Sequence, residues 1–391
     1  YFVIATVLMP LYYRLNLVSI YGYLEQRFGF WSYKTGSGFF LLSRVVGASF
    51  RLFLVAIVLQ TALFDAFGVP FWVSVMVTIL LIWVYTFKGG IKTIVWTDTL
   101  QTLFMLTAVV VTIFIITKEL GWSIGDAIAQ IEASEMSKIF YWDWSSAKFF
   151  PKQFISGALI AIVMTGLDQD MMQKNLTCRN LKEAQKNVFG FSVVLIFANL
   201  LFLGMGALLF MYANNKGIEI PARTDTLYPL LALNHLGTFA GVVFLLGIIA
   251  AAYSSADSAL TALTTAFCVD FLNFEKKEEE EKKRTRLKVH IGFSVLLFLV
   301  ILIFNAINDD SVINSIFKAA GYTYGPLLGL FSFGLLTKRQ VIDKYVLPVC
   351  LAAPLLSYFI DLASGSWFGF FILALNGALT FIGLFFISKK P

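Results

Sequence analysis

Apolar segments long enough to cross a lipid bilayer follow one another along nearly the whole chain. A helix needs about 20 predominantly apolar residues to span the hydrocarbon core, and backbone groups in lipid must be hydrogen-bonded within helices or closed barrels. Charged residues make up only 14% of the 391-residue chain, against about 25% in soluble domains. We therefore predict an all-α polytopic membrane protein. Its apolar segments fall at residues 1–12, 38–64, 70–87, 94–117, 153–167, 188–211, 237–268, 290–306, 312–337, 345–361 and 367–388.

The basic residues are distributed unevenly between alternate loops. If the loop after the first apolar segment faces the cytoplasm and the sides then alternate, 21 of the 30 Lys and Arg residues fall on the cytoplasmic side. Cytoplasmic loops of membrane proteins carry such an excess. We predict a multi-pass protein of the cell membrane, the bacterial inner membrane, with a cytoplasmic C-terminus. The net charge of +6 follows from this topology and does not indicate nucleic-acid binding.

A cluster of hydroxyl residues lies inside the apolar segment 237–268. Ser254, Ser255 and Ser258 accompany Asp257, and a second carboxylate, Asp98, occurs in another apolar segment. Oxygen-rich sites beside carboxylates within a membrane suit a hard cation such as Na⁺. Two alternatives stay open, because small residues also let helices pack closely and Asp98 can be a local helix cap. We assign no role to Asp257. The pattern predicts an ion-coupled transporter.

Three basic residues, Arg44, Arg51 and Lys318, fall inside apolar segments. A charged side chain in the membrane costs about 3 kcal/mol or more unless it is paired or faces water. For Arg44, a structural ion pair with Asp65 or another carboxylate and snorkelling to the membrane surface both stay open, and for Lys318, snorkelling and solute contact both stay open. Arg51 lies near mid-span, where a structural ion pair and a bidentate clamp for an anionic solute are equally good explanations.

Two apolar segments are interrupted. Segment 153–167 is short and contains Gly166, which is typical of the discontinuous helices that line transporter binding sites. Asp168 and Asp170 follow it, and we expect them to meet the cytoplasm as an ordinary helix end. In segment 312–337, Gly325-Pro326 breaks the helix and frees backbone carbonyls, which membranes tolerate only beside a cavity or packed protein.

Other functional classes find little support in the sequence. His235 and His290 have no metal-ligand spacing, and the chain contains neither an HExxH motif nor a P-loop. We place Cys178 and Cys268 in or beside cytoplasmic loops and Cys350 within a span, so we expect no disulfides. A channel would usually show symmetric pore-lining repeats, which are absent from the sequence. A sensor that retains a transporter fold without transport stays open. No obligate protein partner is indicated.

Several motifs resemble those of the sodium/solute symporter family. The run Gly89-Gly90 to Gln101 contains Trp96-Thr97-Asp98 and resembles the GG…WTDxxQ signature. Residues 250–258 resemble the eighth core helix of the family, and residues 168–174 with 183–186 resemble the cytoplasmic segment after the sixth. The resemblance covers nearly the whole chain. Within the family, the chain is similar to the sodium–galactose and sodium–sialic acid symporters.

This resemblance implies the leucine-transporter fold, which consists of two inverted five-helix repeats. The first repeat would cover residues 1–117 and the second residues 153–337, separated by an external loop at 118–152. Two additional transmembrane helices would follow at 338–391. We expect the chain to begin in the second core helix, so that the first repeat lacks its first core helix.

The resemblance also implies Na⁺ ligands. The main Na⁺ site would use the carbonyl of Ala251 and the hydroxyls of Ser254 and Ser255. A second Na⁺ site, present in some members, would match Asp98 with Ser258 and the same two serines. We therefore expect one or two Na⁺ ions and no organic cofactor.

The implied solute pocket departs from that of the galactose transporters. Met164 and Thr165 stand where those transporters have aromatic residues, and Lys318 stands where they have a glutamine. Arg51 matches an arginine that holds the solute carboxylate in sialic acid transporters, and we add Tyr322 to the predicted solute contacts. We expect a symporter, not an enzyme, that imports a sialic or other organic acid with Na⁺ by alternating access. A neutral sugar is the alternative solute.

Overall fold

The computed structural model describes residues 1–17, 19–86, 91–272, 274, 277–307 and 311–389. Within the helices, the side chains of residues 84–86, 91–98 and 252–257 lie outside this description. The described chain is helical apart from its loops and two short strands, β1 (Gln340–Val341) and β2 (Ser388–Lys389), which pair antiparallel. The predicted all-α architecture is confirmed.

Sixteen α-helices are numbered here in chain order within the described ranges. The first eight are α1 (Met9–Leu15), α2 (Gly22–Arg27), α3 (Phe30–Leu59), α4 (Phe71–Thr86), α5 (Ile91–Leu120), α6 (Ile124–Ala133), α7 (Phe150–Ala161) and α8 (Gln169–Leu176). The second eight are α9 (Leu181–Lys216), α10 (Leu227–Asn234), α11 (Gly237–Phe271), α12 (Glu279–Ile307), α13 (Val312–Thr323), α14 (Gly325–Leu336), α15 (Val346–Ala363) and α16 (Ile372–Phe386). Short π-helical turns occur at Ile4–Leu8, Gln60–Phe64 and Ile162–Gly166.

The helices have the length and composition of membrane spans. Among the described residues, six helices are long and apolar enough to cross a bilayer, and seven if the bent pair α7–α8 counts as one span. Helix α11 lies at the centre, where it packs most extensively against α3, α5 and α12. The protein is therefore a multi-pass membrane protein.

Helix α3 begins eight residues earlier than its apolar segment suggests, at Phe30 instead of residue 38. The carboxylate of Asp343 accepts hydrogen bonds from the backbone N–H groups of Trp31 and Ser32, each at 2.8 Å. It thereby satisfies groups that a helix N-terminus leaves unpaired. Lys34, which lies in the predicted cytoplasmic loop between segments 1–12 and 38–64, is part of this helix.

Segment 312–337 is divided into α13 and α14 at Tyr324, next to the predicted Gly325-Pro326 break. The side-chain amide of Asn376 on α16 donates to the carbonyls of Gly321 at 3.1 Å and Tyr322 at 2.9 Å. Carbonyls freed by the break are thus satisfied by a neighbouring helix, as packed protein within a membrane requires.

The 118–152 loop contains a surface helix, α6. Ser123 caps it, since its hydroxyl accepts from the Asp126 N–H at 3.1 Å while the Asp126 carboxylate accepts from the Ser123 N–H at 2.8 Å. Such a reciprocal capping box fixes the first turn of a helix. Hydrogen bonds from Ser123 also lower the pKa of Asp126 below its ordinary value.

Close packing of α14 against α16 depends on Gly329. A Cβ atom at this position would lie 2.8 Å from the carbonyl oxygen of Gly377 and would overlap Thr380. We expect Gly329→Ala to destabilise the protein by about 1–3 kcal/mol, because overpacking forces neighbouring atoms apart. Gly190→Ala on α9 is the matched control, since a Cβ there meets nothing within 4 Å. Denaturant unfolding of both variants tests this, and equal stabilities would contradict it.

Candidate functional site

The site is built around a bend between α7 and α8. The two helices differ in direction by 63°, and the π-helical turn Ile162–Gly166 joins them through Leu167 and Asp168. The hydroxyl of Tyr12 donates to the carbonyl of Gly166, and that of Tyr21 donates to the carbonyl of Leu167, both at 2.8 Å. The predicted discontinuity of this segment is confirmed. The two tyrosines that satisfy its backbone were not predicted.

Asp168 and Asp170 are buried, with 0% and 6% of their surface exposed. The expectation that they meet the cytoplasm is therefore wrong. Asp168 caps α8 by accepting from the backbone N–H groups of Asp170 at 3.0 Å and Met171 at 3.2 Å. Its other carboxylate oxygen accepts from the Tyr324 hydroxyl at 2.8 Å. Buried carboxylates are stable only when they are hydrogen-bonded or paired with a charge.

Arg44 supplies the charge that these carboxylates need. It is 5% exposed, its Nη1 lies 3.7 Å from Asp168 Oδ2, and its Nη2 donates to Asp170 Oδ2. Arg44 therefore forms a buried ion pair rather than extending to the membrane surface. The structure thus settles the choice that the sequence left open for this residue.

A cavity of about 180 Å³ adjoins this cluster. It brings together Arg51, Met164 and Thr165, three of the predicted solute contacts, with Arg44 at its wall. Within the described part of the chain, Arg51 forms neither an ion pair nor a hydrogen bond. The complete lining is Ser43, Arg44, Val46, Gly47, Arg51, Met164, Thr165, Met171, Ile316, Ala319, Ala320, Thr323 and Tyr324.

The other two predicted solute contacts lie elsewhere. One face of α13 lines the cavity, through Ile316, Ala319, Ala320 and Thr323. These residues have the three- and four-residue spacing of a single helix face. On the remaining surface of α13, the side chain of Lys318 is exposed. That of Tyr322 packs against Tyr358 of α15, with ring centroids 6.4 Å apart.

The predicted Na⁺ sites are described only in part. The side chains of Asp98, Ser254 and Ser255, like that of Asp257, lie outside the described residues. Ser258 is buried on α11, and its hydroxyl lies 2.9 Å and 3.1 Å from the two carboxylate oxygens of Asp170. Lys174 Nζ donates to the same hydroxyl at 2.6 Å.

Comparison with known proteins identifies the family. The model of the sodium:solute symporter family matches residues 1–342. The chain belongs to the sodium:solute symporter family. It is therefore a member of a family of Na⁺-coupled transporters, and Na⁺ is its coupling ion.

Similar curated proteins include two sodium/sialic acid symporters. NanT of Aliivibrio fischeri is 23% identical over 350 residues, covering 87% of this chain and 68% of NanT. SiaT of Proteus mirabilis is 26% identical over 342 residues, covering 85% and 67%. The human sodium/iodide cotransporter is 24% identical over 345 residues, covering 85% of this chain but only 52% of the relative.

A solved structure of a Na⁺-coupled sialic acid symporter, in a substrate-bound outward-open state, has the same fold. It superposes with a TM-score of 0.80 at 21% identity, covering 98% of this chain and 80% of that one. The leucine-transporter-like fold implied by the motifs is thereby confirmed. The residue boundaries of the two repeats stay predictions.

Proposed function

We propose that the protein imports a small carboxylate-bearing solute together with Na⁺, and that Arg51 holds the carboxylate. The observation that carries this proposal is the pair of arginines at the cavity. Arg44 is paired with Asp168 and Asp170, whereas Arg51 forms no hydrogen bond or ion pair with any described residue. The guanidinium group matches a carboxylate in a two-point fork. An arginine at membrane depth without a described partner is therefore a functional residue by default.

The surroundings of Arg51 support an organic acid over a neutral sugar. Several similar proteins are named for anions, namely sialic acid, monocarboxylate and iodide. Met164 and Thr165, which stand where the galactose transporters have aromatic residues, line the same cavity as Arg51. Its volume of about 180 Å³ lies below the roughly 300–1,000 Å³ of drug-sized ligand pockets. A small organic acid therefore fits this conformation, and a sialic acid requires a wider one.

The Na⁺ ligands that we propose follow the family resemblance. The main site would use Ala251, Ser254 and Ser255, and a second site would add Asp98 and Ser258. Two Na⁺ ions carried with a monovalent anion move one net positive charge inward. Each such charge gains about 2.3 kcal/mol per 100 mV of membrane potential. From the distribution of Lys and Arg, we further propose a bacterial inner-membrane location with a cytoplasmic C-terminus.

Uptake into proteoliposomes tests the function. We expect an inward Na⁺ gradient to drive accumulation of a labelled carboxylate, tested with lactate and N-acetylneuraminate, and an inside-negative potential to accelerate it. Galactose tests the neutral-sugar alternative, and replacement of Na⁺ by choline is the control. Uptake that is unaffected by Na⁺ removal would contradict the proposal. Binding of Na⁺ and carboxylate without flux would indicate a non-transporting sensor on the same fold.

A further inference from the structure

Asp170 contacts both candidate sites at the same time. One neighbour is Arg44 on α3, which lines the solute cavity. The other is Ser258 on α11, a proposed Na⁺ ligand, whose hydroxyl lies within 3.1 Å of both carboxylate oxygens. Asp170 itself is on α8, directly after the bend. A single buried carboxylate thus connects three helices and the two places where cargo would bind.

The hydrogen bonds of the Ser258 hydroxyl determine how a Na⁺ ion can bind there. A serine hydroxyl has one proton to donate and two lone pairs with which to accept. Here the proton goes to Asp170, and Lys174 Nζ donates to one lone pair at 2.6 Å. One lone pair is left for a cation. A Na⁺ ion that binds Ser258 must therefore approach close to the Lys174 ammonium, which repels it.

The charges around Asp170 determine whether Na⁺ strengthens or weakens solute binding. A Na⁺ ion at Ser258 attracts the Asp170 carboxylate and competes with Arg44 for its negative charge. Arg44 then presents more of its positive charge to the cavity that it lines with Arg51. An anion in that cavity is stabilised by the change, and by linkage the anion strengthens Na⁺ binding by the same factor.

We infer that Asp170 is the positioning residue that couples Na⁺ binding to solute binding, with Lys174 as a built-in competitor of the ion. This inference rests on the proposed symport function. Couplings between sites in proteins usually change affinity by about 5- to 150-fold. We therefore expect Na⁺ to tighten carboxylate binding by at least about fivefold in the unmodified protein.

Asp170→Asn tests the coupling, because asparagine keeps the shape and removes the charge. Binding of lactate and N-acetylneuraminate to the purified full chain is measured at low and high Na⁺, with choline replacing Na⁺. We expect the variant to bind a carboxylate at both concentrations with nearly equal affinity, so that the Na⁺ effect is lost. A Na⁺ effect of unmodified size in Asp170→Asn overturns the inference. Absence of any Na⁺ effect in the unmodified protein overturns the proposed function as well.

Asp361→Asn is the matched control, since Asp361 is a buried aspartate of α15 that accepts from the Phe368 N–H. It is expected to lower stability and keep the full Na⁺ effect.

Lys174→Gln gives a second, independent test if Asp170→Asn fails to fold. Without the competing ammonium, Na⁺ alone is expected to bind several-fold more tightly, which a purely structural lysine would not produce. Unchanged or weaker Na⁺ binding in Lys174→Gln overturns the inference.

Discussion

Replacing Arg51 with glutamine is expected to abolish carboxylate uptake while leaving Na⁺ binding in place. Arg51 lines the cavity, and it forms no hydrogen bond or ion pair with a described residue. Removing one partner of a buried, hydrogen-bonded charge pair typically costs 2–5 kcal/mol of binding. This corresponds to a loss of affinity of about 30- to 5,000-fold. Equilibrium binding of the carboxylate that supports uptake, measured at saturating Na⁺, gives the number directly.

Two further variants separate the clamp from a general effect of charge. Arg51→Lys keeps the positive charge but loses the planar fork, so we expect an affinity between those of the unmodified protein and Arg51→Gln. Lys152→Gln removes another buried basic group, whose Nζ donates to the Trp367 carbonyl at 2.8 Å outside the cavity. It is expected to keep carboxylate affinity. Unchanged affinity in Arg51→Gln would mean that Arg51 does not bind the solute.

The sequence predicts the architecture because hydropathy is a local property. The composition of each apolar segment is enough to indicate that it lies in lipid. The helices and the interruption at Gly166 can therefore be predicted without knowing which other segments pack against them. The start of α3 is not visible in this way. Its capping group, Asp343, lies more than 300 residues further along the chain, and no pattern near Phe30 indicates it.

The candidate site, like the fold, could be predicted from the sequence only in part. Arg51, Met164 and Thr165 could be grouped by family position, and the structure places all three at one cavity. Family position also predicts Lys318, and Tyr322 is predicted with it, but neither side chain lines the cavity. The residues of α13 that line the cavity are spaced at intervals of three and four. Periodicity along that helix could have favoured Ala319 and Thr323.

The partners of Arg44 were missed for a different reason. Two carboxylates beside a Gly-interrupted segment have the pattern of a solvated helix end, whereas an arginine inside a span must be paired or face water. Asp168 and Asp170 lie more than 120 residues from Arg44 in sequence, so only the need for charge balance could have connected them. Both carboxylates lie directly after the 63° bend between α7 and α8.

Replacing Arg44 with glutamine is expected to cause the largest loss of stability. The change leaves two buried carboxylates, Asp168 and Asp170, without their positive partner. Breaking a buried pair from one side typically costs about 3–5 kcal/mol, because the remaining charge is uncompensated. The free energy of unfolding, measured by denaturant titration of the purified protein, reports this loss. Lys283→Gln, which breaks an exposed pair with Glu280, is the control and should change stability by less than about 1 kcal/mol.

A double variant tests whether uncompensated charge is the cause. In Arg44→Gln with Asp170→Asn, one of the two orphaned carboxylates becomes a neutral amide of the same shape. We expect it to be more stable than Arg44→Gln alone, because replacing both partners removes the charge that breaking the pair exposes. Asp168 stays hydrogen-bonded to Tyr324 and to two backbone N–H groups, so it tolerates the loss better than Asp170. A double variant less stable than Arg44→Gln would show that Asp170 is held by its contact with Ser258 rather than by Arg44.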